Sequence, residues 1–180
     1  MRQVNTLHFQ SILDDTVIHF DDDLEAQIAQ LLRKLNLTVA IGEGVTGGLV
    51  SERLTRLPGS SFYFLGSVVS YSSLSKIQLL RVKPHTIQES GIISSQVALE
   101  MAKGVKELFK SDIAIGITGV AGPANDHFPI TSLGKIFVAF ITKTKEKVLM
   151  FQCDGTRKSI REKAAQAALV QLRNYILVSK

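Results

Sequence analysis

The sequence predicts an α/β domain in which strands and helices form packed layers. Short apolar segments rich in β-branched and aromatic residues alternate with segments whose apolar residues recur at helical spacing. Near the end, the segments KIFVAFIT and KVLMFQC are joined by a charged turn at residues 143–147 and predict an antiparallel hairpin. Because helices separate the earlier strands, we expect a mixed sheet that is largely parallel.

The chain begins with residues 1–20, which show no clear period and are interpreted as an N-terminal extension, so that the predicted domain covers residues 21–180. Three aspartates at residues 21–23 predict the start of a helix, since carboxylates cap free N–H groups and suit the positive end of the helix dipole. The apolar face of this helix consists of Leu24, Ile28, Leu31, Leu32 and Leu35. LTVAI then predicts a buried strand, and residues 49–57 predict a helix that ends at Pro58.

The next elements are a strand, FYFLGSVVSY, and a short helix, SLSKIQLL, after which Pro84 is expected to open a turn. A cap at Ser94 or Ser95 predicts a helix. Its apolar face carries Val97, Met101, Val105 and Leu108. IAIGIT predicts another buried strand, followed by a loop to about residue 133, the hairpin, and a helix from about Thr156. The apolar face of this last helix carries Ile160, Ala164, Ala168, Leu172 and Ile176.

Composition excludes several classes of protein. The net charge of +5 favours anionic small molecules, but the cationic residues form no dense stripe with interleaved aromatics, so we expect no nucleic-acid partner. No segment reaches the ~20 apolar residues of a membrane span, and no signal-peptide core is present, so we expect a cytoplasmic protein without a membrane partner. The single cysteine, Cys153, excludes an internal disulfide, leaves no zinc-type ligand cluster and is expected to be buried.

A glycine-rich stretch, LTVAIGEGVTGGLV, joins the first strand to the next helix. Such a junction is either a tight turn or a site where backbone N–H groups bind an anion. No lysine follows the last glycine, so a P-loop is excluded, and the glycine spacing does not fit a dinucleotide-binding turn. A second loop, ITGVAGP, follows another strand. Because ligands gather where the strands of α/β sheets end, the two loops predict a pocket.

A group of hydroxyl and amine side chains lies between these loops: Ser60, Ser61, Tyr71 and Lys76. They are either ordinary turn residues or a serine nucleophile with a lysine base, which requires a lysine whose pKa is lowered by desolvation or by a neighbouring cation. The tyrosine hydroxyl would relay the proton or orient the amine. The four histidines, His8, His19, His85 and His127, fall in no pattern that indicates a Ser-His-Asp triad.

Four blocks of the sequence resemble the CinA C-terminal domain family, which includes bacterial nicotinamide mononucleotide deamidases of the PncC type. In order, they read GEGVTGGLVSERLTRLPGSSFYFLGSVVSYSSLSK, GIISSQVALEMAKG, IGITGVAGP and DGTRKSIR, and the likeness spans residues 24–177. The resemblance implies a three-layer α/β/α sandwich that hydrolyses nicotinamide mononucleotide to nicotinic acid mononucleotide and ammonia, as part of NAD salvage. It also implies a homo-oligomer and an enzyme without a metal or cofactor.

The resemblance also implies roles for particular residues. The nucleophile falls on Ser61, and its supporting groups fall on Tyr71 and Lys76. The implied substrate-binding residues lie in the two glycine loops and in the GTR block: Glu43, Gly44, Thr46, Gly47, Gly48, Thr118, Gly119, Arg157 and, as a second candidate arginine, Arg161.

Two departures from the family pattern motivate a second hypothesis. The usual A-E-S-C-T-G-G has Gly44 and Val45 in place of serine and cysteine, and the glycine-rich run after AGP is replaced by ANDHFPITSLG at residues 124–134. If the missing hydroxyl helps to bind a developing oxyanion, its loss would cost about 10²–10³ in rate. The alternative is therefore a catalytically reduced nucleotide-binding protein with a sensing or partner-binding role.

Overall fold

The structure is a computed structural model that describes residues 24–124 and 130–178. Five strands of this part form one sheet: β1 Val39–Glu43, β2 Phe64–Val69, β3 Ile113–Gly119, β4 Lys135–Ile141 and β5 Glu146–Gln152. Six α-helices accompany them: α1 Leu24–Lys34, α2 Leu49–Thr55, α3 Ser73–Leu80, α4 Pro84–Ser90, α5 Ser95–Phe109 and α6 Arg157–Val178. Short 3-10 turns lie at Ser60–Phe62 and Ile130–Ser132.

The sheet has the strand order β2-β1-β3-β4-β5. Strand β1 is parallel to both β2 and β3, whereas β4 is antiparallel to β3 and to β5. The α/β class, the mixed sheet and the final hairpin are thus confirmed. The expectation of a largely parallel sheet is wrong, because β3 and β4 pair directly and the described part of their connection contains a 3-10 turn in place of a crossover helix.

Helices pack on both faces of the sheet, because alternate strand residues point to opposite sides. In β1, Val39 and Ile41 belong to a core formed with α1, α2 and α6, whereas Ala40 belongs to a core formed with α3 and α5. The second face carries small residues, which let α5 lie close to the strands. A Cβ at Gly116 would stand 2.1 Å from the carbonyl oxygen of Ala98 in α5.

The ends of the helices agree with the sequence except at α4. Ser94 caps α5, because its hydroxyl accepts a hydrogen bond from the N–H of Val97 at 3.3 Å. The turn predicted at Pro84 is wrong: this residue is the first of α4, where proline suits the helix because its missing N–H would have no partner there. The predicted acidic start at residues 21–23 lies outside the described residues. No helix in the described ranges combines the length and the apolar character needed to cross a bilayer.

The parallel strands give the sheet two distinct edges. At the carboxyl edge, β1, β2 and β3 end and are followed by residues 44–48, residues 70–72 and Val120. At the amino edge, the same strands begin, and the turn Ser60–Phe62 leads into β2. The predicted catalytic residues divide between these two edges.

The contact between α3 and α5 gives a test of the packing. A Cβ at Gly104 would stand 2.0 Å from the backbone oxygen of Leu80, so Gly104→Ala forces the two helices apart. We expect a loss of about 3 kcal/mol in the free energy of unfolding, measured by urea denaturation. The control is Gln96→Ala, at an exposed position of the same helix, which should change the midpoint little. Equal midpoints for the two variants would contradict the close approach.

Candidate active site

The carboxyl edge gathers most of the residues that the sequence singles out. Parallel strands end there side by side, which brings together segments that are distant in the chain. The edge carries the glycine loop after β1, the residues after β2 with the first turns of α3, the end of β3, and the start of α6. Among the predicted residues, Tyr71, Lys76, Thr118, Arg157 and Arg161 all belong to these segments.

Lys76 is the central group of this edge. Its side chain is buried with 2% of its surface exposed, and its Nζ donates hydrogen bonds to the backbone oxygens of Ser70 at 2.6 Å and Tyr71 at 3.3 Å. The helix that carries it is fixed by a capping box between Ser72 and Ser75. Burial disfavours the charged amine and lowers the pKa of Lys76 to about 8. A base of this strength is partly neutral near physiological pH.

The space beside the amine is left open by Gly44. A Cβ at position 44 would stand 3.4 Å from the Nζ of Lys76 and 2.8 Å from the backbone oxygen of Ile117. A lysine ammonium has three donors, and the two carbonyl oxygens of residues 70 and 71 accept two of them. The third position on the nitrogen is an N–H in the charged amine and a lone pair in the neutral amine. A water or a substrate atom can approach the nitrogen at this position.

Tyr71 and Arg157 form a second polar group at the same edge. The guanidinium of Arg157 donates to the phenol oxygen of Tyr71 and to the backbone oxygen of Gly122. These bonds join the segment after β2, the loop after β3 and the start of α6. Because the phenol acts as an acceptor here, its own hydrogen remains free for another acceptor. The side chain of Tyr71 is 57% exposed, so a ligand can reach it.

Two buried hydroxyls add to the polarity of this edge. The Oγ1 of Thr46 and the Oγ of Ser70 are buried and have no hydrogen-bond partner among the described residues. A buried polar atom without a partner costs ~1–3 kcal/mol, so such atoms are candidates for ligand contacts. The sequence predicts Thr46 but gives no signal for Ser70, because serines occur throughout the segment from residue 67 to residue 75.

Glu43 acts inside the protein as the cap of α2. Its buried carboxylate accepts hydrogen bonds from the backbone N–H groups of Gly48 at 2.9 Å, Val50 at 3.3 Å and Ser51 at 2.9 Å, and from the Ser51 hydroxyl. A carboxylate suits the positive end of a helix. The anion site considered for the glycine loop is therefore already filled by this side chain. Ser51 was not predicted, since a serine in a first helical turn is common.

The glycine loop itself is a tight turn that a residue of α6 holds in place. Gly47 and Gly48 adopt φ angles of 58° and 99°, which explains why residues without a Cβ occur there. Arg161 donates to the backbone oxygens of Val45 at 3.2 Å and Thr46 at 2.9 Å. This arginine thus fixes the loop against α6. Of the two interpretations of the glycines, the structure favours the turn.

The predicted residues at the end of β3 also have internal partners. The hydroxyl of Thr118 donates to the backbone oxygen of Ile92 at 3.0 Å. Gly119 lies against β4, where a Cβ would stand 2.5 Å from a side-chain carbon of Ile136. Both residues help to shape the wall of the carboxyl edge.

Ser61 lies at the amino edge, away from Lys76 and Tyr71. Arg33 donates to the backbone oxygen of Pro58 at 2.7 Å, and its guanidinium carbon lies 5.9 Å from the centre of the Phe62 ring, so the turn sits beside the end of α1. Strand β2 then separates Ser61 from Tyr71, and five steps of ~3.3 Å correspond to ~17 Å. The expectation that Ser61, Tyr71 and Lys76 share one cleft is wrong for a single chain. The strand that the sequence predicts between Ser61 and Tyr71 already indicated that the two residues are far apart.

The described residues contain no group of three or more histidine, cysteine, aspartate or glutamate side chains that could hold a metal ion. Cys153 is buried, as expected, and burial raises the pKa of its thiol to about 11. The thiol therefore stays protonated and weakly reactive at neutral pH.

The cap formed by Glu43 is tested by Glu43→Gln. We expect a loss of about 2–3 kcal/mol in the free energy of unfolding, because the amide offers one oxygen where a carboxylate served several buried donors. The control is Glu52→Gln, which removes only an exposed ion pair with Arg56 and should cost less than about 1 kcal/mol. Urea denaturation measures both, and equal losses would contradict the cap.

The burial of Lys76 predicts a pH dependence of stability. Its pKa is about 8 in the folded chain against an ordinary value of 10.5, so between these pH values the unfolded chain binds more protons. The free energy of unfolding should therefore rise from pH 8 to pH 10.5, by ~3 kcal/mol at ~1.4 kcal/mol per pH unit. Lys76→Met should lack this contribution, so subtracting the variant's curve of unfolding free energy against pH from the wild-type curve should leave the rise. Parallel curves would mean that the amine has an ordinary pKa.

Comparisons with known proteins agree with this fold. A CinA-like protein of Endomicrobium trichonymphae is 38% identical over 172 residues, which cover 95% of this chain and 40% of that protein. A CinA-like protein of Desulfotalea psychrophila is 38% identical over 169 residues, which cover 93% of this chain and 41% of that protein. The solved competence or damage-inducible protein from Enterobacter asburiae has a TM-score of 0.81 and 26% identity, covering 86% of this chain and 96% of that one.

This chain spans about two-fifths of the length of the curated relatives that it matches. The model of the CinA C-terminal domain matches residues 21–176, which is most of the chain. The fold and the sequence blocks at the carboxyl edge are consistent with that match. The chain therefore belongs to the CinA C-terminal domain family.

Proposed function

We propose that this chain hydrolyses the amide of nicotinamide mononucleotide or a close relative, releasing nicotinic acid mononucleotide and ammonia. The observation that carries the proposal is the buried amine of Lys76, whose pKa is lowered to about 8 by burial at the carboxyl edge. Strongly perturbed groups at the ends of α/β strands are candidates for acid–base catalysis. Membership of the family supports the choice of substrate through the resemblance described above.

The proposed reaction uses the amine first as a base and then as an acid. Neutral Lys76 takes a proton from a water molecule as the water oxygen bonds to the carboxamide carbon. The resulting ammonium gives this proton to the amide nitrogen, the C–N bond breaks and ammonia leaves. The acid product then leaves, and the amine of Lys76 is neutral again.

Two features of the carboxyl edge support an anionic, amide-bearing substrate. The guanidinium of Arg157 is exposed to solvent and has further N–H donors beyond those used on Tyr71 and Gly122, so it can meet a phosphate or a carboxamide oxygen. The buried hydroxyls of Thr46 and Ser70 offer neutral hydrogen-bond groups nearby. The net charge of +5 adds a general attraction for phosphate.

One observation favours the second candidate function, nucleotide binding without turnover. Position 44 lies beside the amine, since a Cβ there would stand 3.4 Å from the Nζ of Lys76. The usual family pattern has a serine at this position, whereas this chain has a glycine and presents no hydroxyl to the amine. If that hydroxyl is needed for turnover, the chain binds the nucleotide and acts through a partner. Calorimetry that finds micromolar binding without ammonia release would favour this function.

The proposed hydrolase predicts a defined pH profile. The kcat/KM for ammonia release from nicotinamide mononucleotide should rise about tenfold per pH unit below pH 8 and level off above it, because the neutral amine is the base. Lys76→Met should reduce kcat/KM by ~10²–10⁴ and abolish this limb of the profile. Ser61→Ala, at the amino edge, should keep kcat/KM near the wild-type value.

The control for these variants is Lys145→Met, an exposed lysine in the turn between β4 and β5, which should keep the wild-type profile. Turnover that is unchanged in Lys76→Met would refute the role of this amine. Absence of both turnover and binding with the wild-type chain would refute both candidate functions.

A further inference from the structure

We propose that the side chain of Lys76 is a covalent binding site for small aldehydes, whose carbonyl carbon condenses with its nitrogen to form an imine. Desolvated lysine amines act as nucleophiles towards carbonyl groups in many enzymes. In the proposed hydrolysis the nitrogen only moves protons, whereas here it forms a bond to carbon, so this activity does not depend on ammonia release. Three features of the surroundings point to it: the acceptors that orient the amine, the open side at Gly44, and two buried hydroxyls.

Two backbone oxygens orient the amine. The Nζ of Lys76 donates to the oxygens of Ser70 at 2.6 Å and Tyr71 at 3.3 Å. A neutral amine has two N–H groups, so these acceptors use both of them, and its lone pair points away from both oxygens. The capping box at Ser72 fixes the helix that carries the lysine and so keeps this orientation. The lone pair is thus the part of the amine that is available for a bond to carbon.

Gly44 leaves room on one side of the nitrogen. Three atoms lie nearest to the place where a Cβ of residue 44 would stand. They are the backbone oxygen of Ile117 at 2.8 Å, the Nζ of Lys76 at 3.4 Å and the Cα of Thr118 at 3.6 Å. Two of these are backbone atoms and the third is the amine itself. A side chain at position 44 would therefore fill the space through which a carbonyl carbon can approach the amine.

Two buried hydroxyls can hold the oxygen of the aldehyde. The Oγ of Ser70 and the Oγ1 of Thr46 belong to fully buried residues and have no hydrogen-bond partner among the described residues. Ser70 is also the residue whose backbone oxygen binds the Nζ, so its hydroxyl lies near the nitrogen. A hydroxyl that donates to the aldehyde oxygen polarises the carbonyl group and gains the partner that it lacks inside the protein.

The condensation balances without an oxidant or a reductant. The lone pair of the Nζ bonds to the carbonyl carbon as the π electron pair of the C=O bond moves to the oxygen. A proton passes from the nitrogen to that oxygen, which gives a carbinolamine. The nitrogen then expels the hydroxyl, which takes a proton from solvent and leaves as water, and a protonated C=N bond remains. Its one N–H can stay on the closer acceptor, the backbone oxygen of Ser70.

Burial distinguishes Lys76 from the exposed lysines. It lowers the pKa of Lys76 to about 8, so roughly a quarter of this amine is neutral at about pH 7.5, against ~0.1% for a lysine with the ordinary value of 10.5. Burial also limits the size of the reagent, because only 2% of the side chain is exposed. The exposed guanidinium of Arg157 at the same edge attracts anions. The aldehyde that suits this site is therefore short and carries a carboxylate, as glyoxylate does.

Reductive trapping with glyoxylate tests the site. The full chain is treated at about pH 7.5 with glyoxylate and cyanoborohydride, whose hydride adds to the imine carbon and leaves a stable carboxymethyl group on the nitrogen. Peptide mass spectrometry then gives the rate of modification at each lysine. We expect the initial rate at Lys76 to exceed that at the exposed Lys145 by about tenfold or more, because a larger fraction of the Lys76 amine is neutral. An equal or slower rate at Lys76 would overturn the proposal.

Two variants test the geometry. Gly44→Ser places a side chain beside the nitrogen and should lower the rate at Lys76 to that of an exposed lysine or below. Ser70→Ala keeps the backbone oxygen that orients the amine but removes the buried hydroxyl, so the rate should fall by about tenfold or more. Its free energy of unfolding should not fall, because that hydroxyl has no partner. Ser73→Ala, at an exposed position nearby, is the control and should leave the rate unchanged.

The outcomes separate this site from the proposed hydrolysis, because modification is measured by mass and ammonia release by its own assay. Fast modification of Lys76 in a chain that releases no ammonia would refute the hydrolysis and support the aldehyde site. Slow modification in a chain that releases ammonia would do the reverse. A wild-type rate at Lys76 in both Gly44→Ser and Ser70→Ala would also overturn the aldehyde site, since neither the open side nor the hydroxyl would then matter.

Discussion

The parallel alignment of β1, β2 and β3 is the constraint on which the arrangement of polar residues depends. It collects three loops and the start of α6 at one edge of the sheet, and there the chain buries the amine of Lys76. The nitrogen is bound by two backbone oxygens, and the described residues supply no carboxylate that would keep it charged. Burial without a counter-charge makes Lys76 a base of moderate strength, and this property is what the proposed hydrolysis uses.

At the same edge, two residues of the predicted site have structural roles. Glu43 and Arg161 resemble ligand-binding groups in the sequence, yet the carboxylate caps α2 and the guanidinium holds the carbonyls of the glycine loop. These contacts leave the anion site of the loop filled. They also keep the walls around Lys76 in place, so these residues support the site without needing to touch a substrate. Tyr71 and Arg157, which are exposed, remain open to a ligand.

Strand β2 has two roles that follow from its position at the side of the sheet. It separates Ser61 from Lys76, so that the turn before the strand and the residues after it belong to different edges of the sheet. It is also an outer strand, and the segment that contains it, residues 57–75, carries no charged side chain.

The sequence by itself determined the α/β class, the terminal hairpin, the serine cap of α5 and the presence of Lys76 and Tyr71 after one strand, because spacing, capping residues and turn composition are local properties of a chain. Only the tertiary structure decided the balance of parallel and antiparallel strand pairs and the burial of the Lys76 amine. It also decided that the Glu43 carboxylate caps α2 and that Ser61 lies at the amino edge of the sheet. The partner of a buried polar group and the distance across a strand depend on which remote segments approach each other. Local patterns do not encode that approach, since it is fixed by how the whole sheet packs.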